Sequence, residues 1–292
     1  MLCKAGKREK NMTEGQAQLR GYLKGDYRLF HIYDKRAMDF GSHAHDFHKV
    51  ILCLEGSVTY IIEGRSYVLR PWDILLVPKN KIHHSKTDAL CAYERVVLFL
   101  SSDFLDRCDG GEKALSRCFL RADTAGTCLL HAGIDVRREL TAAVEEWEKE
   151  NGSEDYAADS LCRSAVLRFL VFINRLSLCE KGEKGEIADR KIDAVIEYIH
   201  THYAEPLTAE IIAKEFYISK SYLMHRFKTV TGGSLHGYVT QKRLSAALSL
   251  LRDGVPATAA ARECGFSDYT VFYRSFRKQY GFSPVRARTT GT

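Results

Sequence analysis

Two segments near the end of the chain repeat each other and carry the side chains best suited to chemistry with nucleic acid. Residues 208–234 align with residues 256–283, and the matched positions lie 48 to 49 residues apart. In each copy the spacing of apolar residues predicts a short helix, a tight turn and a second helix. That second helix buries a Leu or Phe pair at positions i and i+4, which leaves its opposite face for an external partner.

The matched residues explain why each copy would fold as a helix-turn-helix unit. A small alanine, Ala213 or Ala261, allows the two helices to cross closely. A serine, Ser219 or Ser267, is expected to cap the second helix by accepting hydrogen bonds from its first amides. The remaining pairs are Leu223 with Phe272, Phe227 with Phe276, Lys228 with Arg277, and Gly232 with Gly281. The pattern is typical of DNA-reading units.

The outward positions of the second helices are the predicted DNA contacts. Arg274 is best suited to read a guanine, because its guanidinium can donate two hydrogen bonds to O6 and N7 of the base. The alternative for each position is an ordinary solvated helix face. The predicted base contacts are Lys220, Ser221, Met224, His225, Tyr269, Thr270, Tyr273 and Arg274. The predicted phosphate contacts are Arg226, Lys228, Arg277 and Lys278.

The segment between the two copies predicts how far apart they lie. Residues 234–254 are predicted to form one helix of about 17 residues, roughly 25 Å long at 1.5 Å per residue. A helix of that length can hold the second helices of the two copies about one DNA turn apart, ~34 Å. One chain can then read two successive segments of the major groove.

The distribution of charge supports a polyanionic partner for the last third of the chain. Residues 190–292 contain 15 Lys and Arg against 8 Asp and Glu, a balance of +7. The whole chain has 43 against 37, which leaves 28 against 29, a balance of −1, for residues 1–189. Positive charge is therefore concentrated where the repeat lies, as binding to DNA requires.

The elements that position these residues predict an α+β fold. β-branched and aromatic residues dominate six short segments between residues 27 and 101, which predicts the strands of a sandwich or small barrel. Helical periodicity begins near residue 112. Residues 159–178 form a helix that is apolar over most of its surface, so it is expected to pack against the β-domain or a second subunit.

Cysteine usage and hydropathy exclude several classes of protein. The nine cysteines are odd in number and include no C-x-x-C pair, so neither a disulfide framework nor a zinc ribbon is indicated. The charged N-terminal stretch has no apolar segment behind it, and no run approaches the length of a membrane-spanning helix. The protein is therefore expected in the cytoplasm, with no membrane partner.

The last third of the chain, about residues 190–288, resembles the C-terminal DNA-binding domain of the AraC family of bacterial regulators. The resemblance rests on Arg243-Leu244, Gly265-Phe266-Ser267-Asp268, Phe276-Arg277 and Gly281-Phe282-Ser283-Pro284, which occur in the family's order. It implies a DNA-binding transcription regulator, more often an activator than a repressor. It also implies control by a small molecule, with carbohydrates common among the effectors.

Part of the predicted β-domain resembles the two motifs of cupin domains. The resemblance rests on His43-x-His45 with Gly56 behind it, and on Pro78-x-Asn80-x-x-His83. In metal-dependent cupins the histidines and a glutamate bind a divalent metal, but Lys49 stands in the glutamate position. A cation there repels a metal ion and removes an oxygen ligand, so no metal is expected.

The same four residues are instead expected to bind an effector. His43, His45, Lys49 and His83 would line a pocket that hydrogen-bonds a small polar or anionic molecule. The alternative is that the histidines lie at exposed strand ends with no ligand.

The predicted domain boundaries follow from these features. They are a disordered extension (1–19), a cupin-like sensing domain (20–110), a helical dimerisation region (111–180), a linker (181–190) and a DNA-binding domain with two helix-turn-helix motifs (191–288). The predicted partners are double-stranded DNA, the effector and a second copy of the chain, with RNA polymerase as a further candidate.

The favoured function is a sequence-specific DNA-binding regulator that is not an enzyme, with no catalytic residues and no cofactor. One alternative is a metal-dependent cupin enzyme fused to a DNA-binding domain, which Lys49 disfavours. Another is a regulator without a ligand, controlled by a protein partner or by its own abundance.

Overall fold

The N-terminal part of the chain folds into two antiparallel sheets that share one hydrophobic core. The computed structural model describes residues 23, 25–34, 40–87, 92–108, 114–179 and 182–289, so the predicted disordered extension lies outside the described residues. The strands are β1 (Tyr27–Asp34), β2 (Phe40–His43), β3 (His48–Glu55), β4 (Val58–Ile62), β5 (Arg65–Leu69), β6 (Asp73–Val77), β7 (His83–Thr87), β8 (Tyr93–Leu100), β9 (Leu129–His131) and β10 (Glu186–Ile187).

Buried apolar strands hold the two sheets together. The first sheet has the order β1-β8-β3-β6-β9 and the second has the order β10-β5-β4-β7-β2. Ile51, Leu75 and Phe99 of the first sheet are fully buried, and Val58 and Ile62 of the second sheet join the same core. This architecture confirms the predicted N-terminal β-barrel or sandwich.

In the described residues, four helices follow or interrupt the strands: α1 (Ser102–Cys108), α2 (Arg117–Ala125), α3 (Ile134–Glu150) and α4 (Ala158–Cys179). The long helix α4 packs along α3 and buries Phe169, Leu170 and Ile173 in the core of the β-domain. Leu161 and Leu178 on the same helix stay exposed. The β-domain therefore covers only one side of this apolar helix.

The predicted linker, residues 181–190, makes noncovalent contacts with both halves of the chain. Its strand β10 (Glu186–Ile187) pairs with β5 and so adds an edge to the second sheet. Asp189 then caps the next helix, because its Oδ1 accepts hydrogen bonds from Lys191 N at 2.9 Å and Ile192 N at 3.2 Å.

From residue 190 to residue 289 the chain is helical apart from short turns, as predicted. Its helices are α5 (Arg190–His202), α6 (Ala209–Glu215), α7 (Lys220–Thr231), α8 (Leu235–Arg252), α9 (Ala257–Glu263), α10 (Tyr269–Tyr280) and α11 (Pro284–Thr289). Helices α6 and α7 form the first helix-turn-helix unit, and α9 and α10 form the second. Helix α8 contributes to the apolar cores of both units and has 18 residues, which makes it about 27 Å long.

The turns of the two units share a left-handed backbone but differ in the residue that adopts it. The φ angle is 52° at Tyr217 in the first unit and 81° at Gly265 in the second. A Cβ atom on Gly265 would clash with the backbone of Ala204, so only glycine fits the second turn.

The two recognition helices are capped by different residue types. Ser219 caps α7 as predicted, because its Oγ accepts a hydrogen bond from Tyr222 N at 3.1 Å. The prediction that Ser267 caps α10 was wrong: the cap is Asp268, whose Oδ1 accepts from Thr270 N at 2.6 Å. The structural repeat is therefore 49 residues at the cap, the same spacing that relates Phe227 to Phe276.

Replacing the cap of α10 is expected to lower the stability of the second unit. Asp268→Ala should reduce the free energy of unfolding by about 1 kcal/mol, since the Thr270 amide loses its acceptor. Ser267→Ala is the matched control, and its effect should stay within about 0.5 kcal/mol. Urea denaturation measures both, and a larger loss for Ser267→Ala would contradict the assigned cap.

Candidate nucleic-acid interface and ligand site

The helices α7 and α10, called the recognition helices below, each bury one face and expose the other. Leu223 and Phe227 of α7 and Phe272 and Phe276 of α10 are fully buried. Each helix begins at a fixed residue because a side chain caps it. The exposed face is thereby held at a defined angle to the core.

The residues predicted to contact bases lie on these exposed faces. Met224 is 50% exposed on α7, and Arg274 is exposed on α10, whereas Tyr273 is half-buried. The Lys220 ammonium group pairs with the Glu210 carboxylate within the first unit. The remaining exposed members are Ser221, His225, Tyr269 and Thr270. Their contact with bases stays a prediction.

Three of the four residues predicted to contact phosphates are exposed: Lys228, Arg277 and Lys278. Arg226 is half-buried, and its Nε donates a hydrogen bond to Asp189 Oδ2 at 2.6 Å. Arg226 would have to leave the end of the linker before it could meet a phosphate.

The helical domain also contacts the N-terminal domain, which no sequence pattern indicated. Lys242 Nζ donates to Glu63 Oε1 at 2.9 Å, and Arg252 Nη2 donates to Asp46 Oδ2 at 2.7 Å. These partners lie 179 and 206 positions apart in the sequence, so no local spacing could have revealed them.

The three predicted effector histidines form one cluster at the edge of the second sheet. The ring centroids of His83 and His43 are 4.4 Å apart, and those of His83 and His45 are 4.8 Å apart. Each Nδ1 lies near a backbone carbonyl oxygen, that of Gly41 at 2.8 Å, Phe47 at 2.7 Å and Lys81 at 3.0 Å. Within the part of the chain that the structure describes, each Nε2 is buried without a hydrogen-bond partner.

These contacts fix the tautomer of the rings. Each Nδ1–H donates to a carbonyl oxygen, so each neutral imidazole keeps an electron pair on its buried Nε2. The cluster is therefore a set of hydrogen-bond acceptors.

Burial keeps the cluster neutral. Burial lowers the pKa of His43 to about 4 and, with added effects of neighbouring histidines and the Lys49 charge, lowers the pKa of His45 and His83 well below the usual value. Lys49 is only 1% exposed, and its Nζ lies 5.6 Å from the Phe99 ring centroid and 6.0 Å from that of Tyr60. A cation beside unprotonated rings further disfavours their protonation.

Acid is expected to destabilise the N-terminal domain. A histidine in the unfolded chain binds a proton near pH 6.5, whereas folded His43 does so near pH 4 and His48, which is also buried, near pH 3. Stability is thus complete above pH 6.5 and falls as the pH drops toward 4. Each neutral histidine contributes a slope of about 1.4 kcal/mol per pH unit in that window. Thermal melts between pH 7.5 and 4.5 measure the sum.

Asp46 acts in the opposite direction between about pH 6 and 4, because burial raises its pKa to about 6 despite Arg252. His45→Gln should reduce the acid slope by about one proton relative to the wild type. An equal slope in the variant and in the wild type would contradict the neutral cluster.

A cavity of about 270 Å³ lies apart from the histidine cluster, between the two domains. Its lining includes Lys81 and Asp123 of the N-terminal domain, Lys184 of the linker, and Glu197 and His200 of α5. Lys81 and Asp123 pair with each other at 2.5 Å.

The described residues hold no group of three His, Cys, Asp or Glu side chains arranged to bind a metal ion. Among the same residues, no helix is both long and apolar enough to cross a membrane.

Two family models match the chain. A model described as an AraC-like ligand binding domain matches residues 29–166, and one described as a helix-turn-helix domain matches residues 212–290. Together they cover well over half of the sequence.

A curated relative matches most of the chain. The HTH-type transcriptional activator RhaS of Escherichia coli O139:H28 is 26% identical over 248 residues, which cover 84% of this chain and 86% of the relative.

Solved structures also resemble the chain at low identity. ToxT from Vibrio cholerae O395 is 15% identical with a TM-score of 0.39, and the match covers 92% of this chain and 99% of that one. The C-terminal domain of AraT, a response regulator from Geobacillus stearothermophilus, is 27% identical over 36% of this chain and 88% of its own, with a TM-score of 0.35.

Proposed function

The chain belongs to the AraC family of DNA-binding transcription regulators, and we propose that it is an activator whose N-terminal domain binds a small molecule. The observation that carries the proposal is the pair of capped recognition helices with exposed polar and basic faces. The activator role is supported by the relative of that description. Effector-bound protein would present both recognition helices to DNA.

The base contacts proposed are the eight outward residues given above, with Lys228, Arg277 and Lys278 on phosphates. Arg226 joins them when Asp189 releases it. Genomic footprinting of the purified protein tests this assignment. A few sites with two half-motifs are expected, and binding there should weaken steeply with salt. Weak binding without sequence preference would overturn the proposal.

The effector site proposed is the cluster of His43, His45 and His83 with Lys49. Because its buried Nε2 atoms are acceptors, the matching ligand is a neutral molecule that donates several hydrogen bonds, such as a carbohydrate. A carboxylate could pair with the Lys49 ammonium group but would also face the electron pairs of the three rings.

Thermal shift against matched panels of sugars and organic acids tests the ligand class. A sugar that raises the melting temperature of the wild type but not of His45→Gln supports the assignment. Stabilisation by acids alone, or equal stabilisation of the variant, would contradict it. Stabilisation by neither panel would favour a regulator controlled without a ligand.

The proposed assembly is a homodimer formed through α4. Its exposed Leu161 and Leu178 lie on the side that the β-domain leaves uncovered. The proposed division of labour follows the predicted boundaries, with sensing in 20–110, dimerisation in 111–180 and DNA binding in 191–288. Sedimentation equilibrium of the wild type and of Leu161→Lys tests the dimer, and a wild-type monomer at all concentrations would refute it. RNA polymerase is the proposed partner at the promoter, and no catalytic role is assigned.

A further inference from the structure

The two helix-turn-helix units have separate apolar cores that meet along helix α8. The first half of α8 contributes Val239 to the core of the first unit, and the second half contributes Leu244 to the core of the second. Arg243 lies between these two positions, where α8 passes from one core to the other. Because the cores are separate, any further restraint on the angle between the units comes from contacts outside them.

The loop that follows α5 makes a direct contact between the units. Helix α5 packs Ile196 and Ile199 in the core of the first unit, whereas Tyr203, directly after the helix, packs against the core of the second. The next residue, Ala204, lies against Gly265 in the turn of the second unit. Residues 203–205, called the bracing loop below, therefore connect one unit to the other.

The glycine in the second turn is explained by this contact and not by backbone conformation alone. A Cβ atom on Gly265 would lie 2.4 Å from the carbonyl oxygen of Ala204 and 2.8 Å from its carbonyl carbon. The turn of the first unit has the same left-handed backbone but carries Tyr217, whose side chain is 96% exposed. A left-handed turn in this domain thus accepts a side chain where no neighbour is close. Gly265 marks a close approach of the second unit to the bracing loop.

Arg243 holds the bracing loop in place. Its Nε donates a hydrogen bond to Tyr203 O at 2.7 Å, and its Nη2 donates one to Glu205 O at 2.7 Å. The guanidinium carbon lies 5.9 Å from the ring centroid of Phe266, which follows Gly265 and packs against the core of the second unit. A guanidinium presents several donors in one rigid plane, so it can bind two carbonyl oxygens at once. One side chain therefore joins α8, the bracing loop and the second turn.

We propose that Arg243 is a positioning residue for DNA reading. Through the bracing loop it sets the orientation of α10 relative to α7, and so the spacing of half-motifs that one chain accepts. The proposal rests on the proposed function, since it concerns how the two recognition helices act together. With the loop held, both helices reach DNA already oriented, and binding does not have to order them. This role is separate from the base and phosphate contacts proposed above.

A phosphate contact is the competing role for Arg243. Arginines commonly bind phosphate, but Nε and Nη2 of Arg243 already bind carbonyl oxygens of the same chain. The two roles differ in whether a lysine can replace the arginine. A lysine keeps the positive charge that attracts a phosphate and loses the paired, coplanar donors that hold the bracing loop.

Arg243→Lys in the full chain separates the two roles, and Arg262→Lys on the exposed side of α9 is the matched control. Binding is titrated on three duplexes: the best site found by footprinting, the same site with about two base pairs inserted between its half-motifs, and a duplex with one half-motif only.

The expected result is a loss confined to paired half-motifs. If the freed units adopt the reading arrangement about a tenth of the time, the affinity of Arg243→Lys for the best site falls about tenfold. Its affinity for the single half-motif should match that of the wild type. The insertion should weaken binding less in Arg243→Lys than in the wild type, because loosely held units tolerate a changed spacing. Arg262→Lys should bind all three duplexes as the wild type does.

A second pair of variants tests the bracing loop without changing any charge. Asparagine tolerates a left-handed backbone, so Gly265→Asn mainly adds atoms that collide with Ala204. Tyr217→Asn is the matched control, since the side chain at that turn is exposed. Gly265→Asn should reproduce the changes expected for Arg243→Lys, and Tyr217→Asn should bind as the wild type does.

Circular dichroism and urea denaturation establish that each variant is folded. A folded Arg243→Lys that binds the best site as tightly as the wild type would overturn the positioning role. An equal loss on the best site and on the single half-motif would also overturn it, because that loss would reflect a direct contact with DNA. If Arg243→Lys does not fold, Gly265→Asn decides by the same two criteria. Wild-type protein that binds no DNA site specifically would instead refute the proposed function.

Discussion

Replacing Arg274 by alanine is expected to weaken binding at the cognate DNA site by about 1 to 3 kcal/mol, or roughly 5- to 150-fold. Arg274 is exposed on α10, on the face opposite the buried Phe272 and Phe276. A guanidinium at that position can donate two hydrogen bonds to one guanine, and no other base offers the same pair of acceptors. Loss of the side chain should therefore relax specificity at one base pair and leave folding intact.

Arg262→Ala is the matched control for Arg274→Ala. Arg262 is an exposed arginine in the same domain but lies on α9, outside the recognition helices. Both variants are titrated by electrophoresis or fluorescence at one salt concentration, with single-base operator variants. The comparison separates base-specific hydrogen bonding by Arg274 from the general attraction of a positive charge to DNA. Equal losses for both would mean that Arg274 contributes only its charge.

Truncating a buried phenylalanine of a recognition helix is expected to cost about 3 to 5 kcal/mol of stability. Phe227 and Phe272 are completely buried and lie in two separate apolar cores. Alanine at either position leaves a cavity and removes the contact that fixes the exposed face of its helix. Because the cores are separate, Phe227→Ala should loosen the first unit more than the second, and Phe272→Ala should do the reverse.

Hydrogen exchange resolved by residue measures this difference. Protection should fall first in α7 for Phe227→Ala and first in α10 for Phe272→Ala, with the exposed Met224→Ala as the control. A uniform loss of protection across the helical domain would show that the two units unfold as one.

Local patterns predicted most of the fold. The apolar strands β3, β6 and β8 and the helices with apolar faces were predicted from their composition and periodicity, because their burial depends on neighbours at fixed spacing. Strands β2 and β7 did not, since FGSH and HHSKT contain few apolar residues and no alternation. They form strands because β7 pairs with β4, and β2 then pairs with β7.

The candidate site was predictable only in part, for the same reason. The buried pair at positions i and i+4 defined the outward face of each recognition helix. The cap of α10 was misassigned by one residue, because Ser267 and Asp268 are both good caps and only backbone geometry separates them. Glu63 binds Tyr238 and Lys242, which lie 175 and 179 positions away in the sequence. No single-sequence pattern encodes contacts at that separation.

The most direct test of the central claim, that one chain reads two successive segments of the major groove, is an operator-spacing experiment. A duplex carries the two half-motifs found by footprinting, and about five base pairs, half a helical turn, are inserted between them. Because α8 is rigid and joins both units, we expect affinity to fall to the level of non-specific DNA and to recover in part with a full-turn insertion bridged by a second copy. Affinity that is unchanged by the half-turn insertion would contradict the account, since the two units would then not bind as a fixed pair.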